Sequence, residues 1–250
     1  MAQLRVETFD RVATVTLDRA PVNALTSALL ENLAEVFETF ATSLDVNAVI
    51  LTGSGTRAFC AGLDLHESFP PTIEANATRK RAYSAVRHCE VPVIAAVNGP
   101  ALGAGAVLAA VCDIRIAAET ATFGLPEINV GRCGGAAHLG RLIPQGALRR
   151  MAFSGEPMPV VEAWRVGLVD EVVGRERLMP AARSLARALA AKAPLGLRCT
   201  KRALNETEKM QVEDGYALEQ DYNAKLMQTA DATEAWRAMV EKRRPVFRGE

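Results

Sequence analysis

The sequence predicts an α/β fold in its first part and a helical region at its end, and three observations support this. Short runs near the amino terminus alternate apolar and polar residues, as paired strands do. Two longer apolar runs, "NAVILTGSG" and "VPVIAAVNG", each end in a glycine turn, which is typical of buried strands. Segments with helical spacing lie among these runs, and strands that alternate with helices define the α/β class.

The residue pattern near the amino terminus predicts a strand pair and then a helix. Leu4–Val6 and Val12–Leu17 are the two strands, since their apolar residues recur with a period of two. Thr26 or Ser27 can cap the next segment, because a hydroxyl oxygen accepts from an unpaired amide of the first turn. Apolar residues between positions 29 and 40 then repeat at helical spacing, so this helix has one apolar face.

The pattern changes after about residue 145. Segments such as "RLMPAARSLARALAAK" and "YALEQDYNAKLMQT" carry helical periodicity and are separated by Gly or Pro. We find no internal repeat or low-complexity linker, so both parts are expected to share one core. We assign residues 1–190 to an α/β core and residues 191–250 to a C-terminal helical region.

Composition and charge limit the possible functions. The chain has 250 residues, of which 49% are hydrophobic and 23% charged, as in a globular protein with a substantial core. Lys+Arg and Asp+Glu are both 29, so no basic field indicates a nucleic acid or an anionic membrane as partner. No apolar run reaches the roughly 20 residues of a membrane span.

The five cysteines are scattered and form no C-x-x-C pair. This pattern predicts reduced thiols in a cytoplasmic protein, and no metal site. The amino terminus does not have the basic and then apolar pattern of a secretory signal.

The stretch "NGPALGAGAV" allows three interpretations. A dinucleotide fingerprint would need glycine where Leu108 stands, and a phosphate loop would need a lysine that is missing. The third interpretation is a strand that ends, a turn, and a helix that begins near Ala104 with unpaired amides. Such amides can bind a developing negative charge. A tight packing turn without a ligand is the alternative.

A second stretch, "RAFCAGLDL", is also small and apolar at its centre and follows the strand "AVILTG". Two such turns can supply two converging backbone donors. Acyl-group chemistry needs such a pair when negative charge builds up on a thioester carbonyl.

The chain resembles the enoyl-CoA hydratase/isomerase, or crotonase, family over nearly its whole length. The segments that carry the resemblance are "APVNAL", "RAFCAGLDL", "VPVIAAVNGPALGAGAVLAAVCDIRIA", "ATFGLPEINVG", "SGEPMPVVEAWRVGLVDEVV" and "EKRRPVF". The resemblance implies a crotonase-like spiral of ββα units followed by a C-terminal helical trimerisation region. It also implies a homotrimer, or a hexamer built as a dimer of trimers.

The resemblance further implies a CoA thioester substrate whose carbonyl meets the backbone amides of Leu63 and Ala104. Coenzyme A is then part of the substrate, and no permanently bound cofactor is expected. The positions that the resemblance assigns to binding CoA or the acyl group are Val22, Ala24, Arg57, Ala61, Asp64, Leu65, Gly103 and Val107. Asp64 also fits the simpler role of a cap, and Arg57 that of a solvated surface residue.

The acids decide which reaction is expected. Hydratases of this family hold water between two glutamates; the second aligns with Glu127 in "GLPEINVG", while the first falls on Val107. One carboxylate suffices to isomerise 3-enoyl-CoA to 2-enoyl-CoA, because it can remove a proton from C2 and return it to C4. We therefore favour an isomerase. The alternatives are a 2-enoyl-CoA hydratase and a non-catalytic acyl-CoA-binding subunit.

For Glu127 and His138 the sequence also allows interpretations without a catalytic role. Glu127 itself could merely stabilise the start of a helix. His138 stands where the family often has a glycine, so it alters the pocket wall, either as a packing substitution or with a function.

Overall fold

A six-stranded sheet lies at the centre of the computed structural model, which describes residues 3–67 and 73–250. A smaller three-stranded sheet lies beside it. The strands are β1 Leu4–Phe9, β2 Val12–Leu17, β3 Ala48–Gly53, β4 Val93–Val97, β5 Ala101–Leu102, β6 Ile114–Ala118, β7 Thr122–Gly124, β8 Met158–Pro159 and β9 Glu171–Val173.

The order in the large sheet is β1-β2-β3-β4-β6-β9, and that in the small sheet is β5-β7-β8. Strand β1 pairs antiparallel with β2, and the later neighbours in the large sheet are parallel. The predicted strand pair is confirmed, although β1 continues three residues beyond Val6 to Phe9.

Helices cover both faces of the large sheet. The helices in residues 3–67 and 73–250 are α1 Ser27–Thr42, α2 Ile73–Arg87, α3 Ala104–Val111, α4 Ala136–Leu139, α5 Gln145–Ser154, α6 Val160–Arg165, α7 Leu178–Ala190, α8 Pro194–Thr207, α9 Val212–Leu226 and α10 Ala230–Val240, of which α1 and α3 lie on one face of the sheet and α7 on the other. Thr26 caps α1, and its hydroxyl oxygen accepts from the Leu29 amide at 3.1 Å. The α/β class and the helical C-terminal region predicted from the sequence are therefore confirmed.

Alternate residues of the central strands enter two different cores. Ala13, Val15 and Leu17 pack into the core that contains α1 and α3, whereas Val12 packs with α7 on the opposite face. Burial on both faces explains why β4 is apolar throughout and why β3 is apolar up to Thr52, whose hydroxyl donates to the Ala96 carbonyl at 2.8 Å.

Two buried cations attach α8 to the core. Arg198 donates to backbone carbonyls at the end of α1, among them that of Ala41 at 2.9 Å. Lys201 donates to the Val91 carbonyl at 2.9 Å and forms an ion pair with Asp113 at 2.7 Å. Asp113 also accepts from the Val93 amide at 2.7 Å, so its carboxylate joins α8 to the start of β4.

None of the helices in residues 3–67 and 73–250 combines the length and the apolar character that crossing a bilayer requires.

Candidate active site

The two small-residue turns identified in the sequence lie against each other. The Leu102 amide donates to the Cys60 carbonyl at 3.0 Å, and Cys60 and Ala101 form an isolated bridge. Gly105, in the first turn of α3, faces the same carbonyl, and a Cβ there would overlap the Cys60 oxygen. Glycine is therefore required at position 105 for the two turns to meet.

Each turn presents one unpaired backbone donor. Leu63 forms a parallel bridge with Leu25. In this bridge the Leu25 amide donates to the Gly62 carbonyl and the Asp64 amide donates to the Leu25 carbonyl, so the Leu63 amide points away from Leu25. Ala104 begins α3, so its amide has no partner within the helix. Neither N–H donates to any residue that the structure describes. A Cβ on Gly62 would lie 3.8 Å from the Ala104 nitrogen, so the two donors are close neighbours.

A buried network fixes the shape of the turn within residues 57–65, which carries Leu63 and is called the first turn below; the second turn is the one that precedes Ala104. Asn23 has a φ of 55°, a conformation that asparagine tolerates, and its amide donates to the Ser54 and Ala58 carbonyls at 3.0 Å. Sequence reasoning did not assign Asn23 a role, although the motif "APVNAL" contains it. The Ala61 amide donates to the Val22 carbonyl at 3.0 Å, which joins the motif to the turn.

Asp64 belongs to the same framework. Its carboxylate forms an ion pair with Arg19 at 2.5 Å and accepts from the His66 amide at 2.8 Å. The hydrogen bond from the His66 backbone amide lowers the pKa of Asp64 most, and Arg19 lowers it further, although burial acts in the opposite direction. Arg19 also donates to the Ala24 carbonyl at 3.2 Å. Asp64 thus stabilises the turn that carries Leu63.

The Glu127 carboxylate lies beside the second turn. Glu127 is in a 3-10 helix, Pro126–Val130, and a Cβ on Gly103 would lie 2.8 Å from its Oε1. Oε2 is buried and accepts no hydrogen bond from any described residue. Burial raises the pKa of Glu127, and a bond from its own backbone amide opposes this. A carboxylate with a raised pKa and one oxygen without a partner suits proton transfer.

Val107 lies in α3, one helical turn after Gly103, and carries an apolar side chain. Its amide donates to the Gly103 carbonyl at 3.0 Å, one helical turn back, and its side chain is buried. A Cβ on Gly135 would lie 2.8 Å from both Val107 and Leu125 side-chain carbons. No proton-transfer group stands at position 107.

Tyr83 and His138 form a contact that the sequence did not predict. The Tyr83 ring, on α2, meets the His138 ring on α4 edge-on, with centroids 5.9 Å apart. Position 138 departs from the family pattern, whereas no local pattern distinguishes Tyr83. Their pairing depends on how α2 and α4 pack against α3.

The structure brings together Leu63, Gly103, Ala104, Val107 and Glu127 of the predicted site. The half-buried positions Val22, Ala24 and Ala61 lie along the first turn. Arg57 is exposed, and Leu65 is 72% exposed, so neither contributes to this cluster.

No group of three or more His, Cys, Asp or Glu side chains that could hold a metal ion occurs in residues 3–67 and 73–250.

Two backbone donors and one carboxylate around a small-residue turn are the kinds of group that acyl-group chemistry uses. The family model for enoyl-CoA hydratase/isomerase matches residues 7–250. The chain therefore belongs to this family, and it is an enzyme that acts on CoA thioesters.

Individual relatives cover the chain almost completely. The 2,3-dehydroadipyl-CoA hydratase of Escherichia coli (strain K12) is 37% identical, with 100% of both chains covered. The (7aS)-7a-methyl-1,5-dioxo-2,3,5,6,7,7a-hexahydro-1H-indene-carboxyl-CoA hydrolase of Mycobacterium tuberculosis is 39% identical, over 92% of this chain and 95% of that protein. The crystal structure of the enoyl-CoA hydratase from Bacillus anthracis matches with a TM-score of 0.95 at 33% identity, covering 100% of both chains. The fold is accordingly the crotonase-like spiral that the resemblance implied.

Proposed function

We propose that this enzyme isomerises 3-enoyl-CoA to 2-enoyl-CoA and that Glu127 moves the proton. The carboxylate takes a proton from C2, and the C2–H electron pair becomes part of a dienolate that extends from C4 to the thioester oxygen. Glu127 then delivers the proton to C4, which leaves the double bond between C2 and C3. The Leu63 and Ala104 amides stabilise the charge on the thioester oxygen.

The observation that supports isomerisation is the single acid. Position 107, where the resemblance places the other glutamate of a hydratase, carries a buried valine that cannot orient water. A reaction that needs only one base and acid fits this arrangement better than water addition does.

The other proposed binding residues contact the thioester or the rest of the CoA. Val22, Ala24, Ala61 and Gly103 allow the thioester to approach the turns closely. Arg57 and Leu65 lie at the surface, where the rest of the CoA would pass. Coenzyme A enters as part of the substrate, and we propose no permanent cofactor and a cytoplasmic location.

Separate assays with 3-enoyl-CoA and 2-enoyl-CoA test the reaction. We expect faster isomerisation than hydration in the wild type, and a loss of at least about a hundredfold in Glu127→Gln with substrate binding retained. Glu156→Gln, at an exposed acid, is the matched control and should keep wild-type rates.

Hydration is the second candidate, and the names of two of the relatives favour it. The Escherichia coli and Bacillus anthracis proteins are both named hydratases. If the wild type hydrates 2-enoyl-CoA faster than it isomerises 3-enoyl-CoA, the single-acid argument fails and hydration takes its place. Val107→Glu should move the balance towards hydration, because it restores a second acid.

We also propose a trimer, or a hexamer of two trimers, with residues 191–250 as a helical assembly region. Helix α10 exposes Trp236, Met239 and Val240, and α5 and α6 expose Phe153 and Trp164. Apolar side chains in such number are costly on a free subunit. Sedimentation of the protein at micromolar concentration should give a multiple of three, and a stable monomer would contradict the assembly.

A further inference from the structure

We propose that the protein binds a phosphate monoester, such as a sugar phosphate or a nucleotide, in a cleft on the face of the large sheet opposite to α3. Arg175 and Arg183 pair with the phosphate, and the Thr16 hydroxyl donates to it. This inference goes beyond the proposed reaction and does not depend on it.

The cleft lies at the carboxyl ends of strands β2 and β3. A cavity of about 420 Å³ opens there. Gly53, Ser54 and Gly55, at the end of β3, line one part of it, and Leu178 and Met179, at the start of α7, line another. Ligands of open α/β sheets bind in crevices outside the carboxyl ends of the strands. The cavity is also large enough for a small metabolite.

The sheet surface in this cleft is polar, whereas the rest of the same face is apolar. Side chains of one strand alternate between the two faces, so Thr14 and Thr16 share a face with Val12, which packs with α7. Thr16 pairs with Arg5 on β1 and with Thr52 on β3, so these three residues form one row across the sheet. The whole row lines the cavity. Polar side chains in such a row indicate that this part of the face meets a polar ligand.

Thr16 supplies a hydroxyl without a protein partner. The residue is only 8% exposed and lines the cavity, yet its hydroxyl forms no hydrogen bond with any residue that the structure describes. The hydroxyl of the neighbouring Thr52, by contrast, donates to the Ala96 carbonyl at 2.8 Å. The Gly55 N–H, at a φ of 71°, also donates to none of the described residues. Buried polar groups are normally paired, so a ligand in the cavity gains the Thr16 donor.

Arginines give the cleft its preference for an anion. Arg5, Arg175 and Arg183 line the cavity, and neither Arg175 nor Arg183 forms an ion pair with an acid in residues 3–67 and 73–250. Arg5 reaches Asp18 only at 3.9 Å. Arg183 also lines an adjoining cavity of about 350 Å³, together with Arg187. Guanidinium groups without a carboxylate partner suit phosphate, whose oxygens accept two parallel N–H bonds.

Two glutamates in the cleft limit the charge of the ligand. Glu176 folds back on its own 3-10 helix, because a Cβ on Gly174 would lie 2.6 Å from its Oε1. Glu7 lines both cavities and pairs with Thr14 across β1 and β2. A long polyanion would meet these acids, and like charges repel. A single compact dianion can pair with the arginines and avoid them, which favours a phosphate monoester.

Calorimetry on the full chain tests the proposal with AMP and ribose 5-phosphate as probes and adenosine as their neutral counterpart. The wild type should bind at least one phosphate with a Kd at or below about 1 mM, and adenosine at least about tenfold more weakly than AMP. Arg183→Gln should weaken phosphate binding about tenfold, because it removes a charge-assisted bond. Thr16→Val keeps the shape and should weaken it about threefold or more. Arg149→Gln on α5, at an equally exposed arginine without an ion pair among the described residues, is the matched control and should keep wild-type affinity.

The outcomes separate this inference from the proposed function. Binding of neither phosphate, by calorimetry or by thermal shift, overturns the inference, and so does adenosine bound as tightly as AMP. Folded Arg183→Gln that binds both phosphates as tightly as Arg149→Gln does also overturns it. Arg183→Gln should bind acetyl-CoA as tightly as the wild type, and a parallel loss of AMP and acetyl-CoA binding would mean that the arginine serves the thioester site instead. A wild type that binds AMP with the predicted variant effects but does not bind acetyl-CoA contradicts only the acyl-CoA site of the proposed function.

Discussion

Two sides of the proposed site are built from opposite kinds of group. The turns around Leu63 and Ala104 offer backbone amides, and their side chains are small or apolar. The second side offers side chains: the Glu127 carboxylate and the apolar surface of Val107. The first side depends on chain geometry, and the second on which residue stands at each position.

This contrast determines how each side responds to substitution. A backbone donor survives any side-chain change that leaves the N–H and the helix in place, whereas proline removes it. A carboxylate is lost when glutamate is replaced by glutamine, which has an NH2 group in place of one oxygen and almost the same shape.

The largest effect is expected from Ala104→Pro. Position 104 is the first residue of α3, where proline fits a helix, and Gly103 before it tolerates the restricted backbone. The substitution therefore removes one donor from a folded protein and should lower kcat by about two to three orders of magnitude. Ala230→Pro, at the first residue of α10, is the matched control and should leave kcat unchanged. Full activity of a folded Ala104→Pro would exclude this amide from the site.

Gly105→Ala should break the contact between the two turns. The new Cβ would overlap the Cys60 carbonyl oxygen, which is backbone and cannot rotate away. We expect a loss of at least about 2 kcal/mol in the free energy of unfolding, measured with urea. Gly146→Ala is the control, because nothing lies within 4 Å of a Cβ there. A stable Gly105→Ala would mean that the turns do not need this close approach.

The regular elements on the backbone side could be predicted from the sequence. Strand β4 and helix α3 start within two residues of their predicted positions, because apolar runs and glycine turns are local signals. The unpaired amide at Ala104 follows directly from the start of a helix. That at Leu63 required the family resemblance, since its bridge to Leu25 joins distant parts of the chain.

The side-chain wall could be predicted only in part. The motif "GLPEINVG" identifies Glu127 through the family resemblance, but the 3-10 helix that holds it is too short to show a periodic residue pattern. The contact between Tyr83 and His138 arises from the packing of α2 and α4, so no local pattern announces it. Asn23 stands in a motif that was noticed, yet its role depends on carbonyls of residues 54 and 58, far along the chain.

The raised pKa of Glu127 predicts that activity and stability respond to pH in opposite directions. Burial disfavours the carboxylate, so the folded protein binds its proton more tightly than the unfolded chain, whose pKa lies near 4.5. The resulting cost to stability is absent below pH 4.5 and grows as the pH rises through the folded pKa. Over the same range kcat/KM should rise, because the base must be ionised.

Glu127→Gln tests this opposition by unfolding at pH 4 and pH 7. The variant should gain stability relative to the wild type at pH 7 and lose that advantage at pH 4. If the difference in free energy of unfolding between Glu127→Gln and the wild type is the same at pH 4 and pH 7, burial of the Glu127 carboxylate carries no cost to stability.

Leu63→Ala should have the smallest effect on catalysis, although it alters a residue at the centre of the proposed site. Its contribution there is the N–H, which alanine retains, and the Leu25 and Asp64 amides on either side of the bridge still fix the turn. The half-buried leucine side chain packs against the core, so its removal should cost about 1–2 kcal/mol of stability. We expect kcat within about threefold of the wild type, by comparison with the hundredfold or larger loss on removing a donor. Steady-state kinetics at a temperature where the variant is fully folded checks this. A hundredfold loss in folded Leu63→Ala would show that the leucine side chain acts on the substrate, and the contrast between a backbone side and a side-chain side would not hold at this turn.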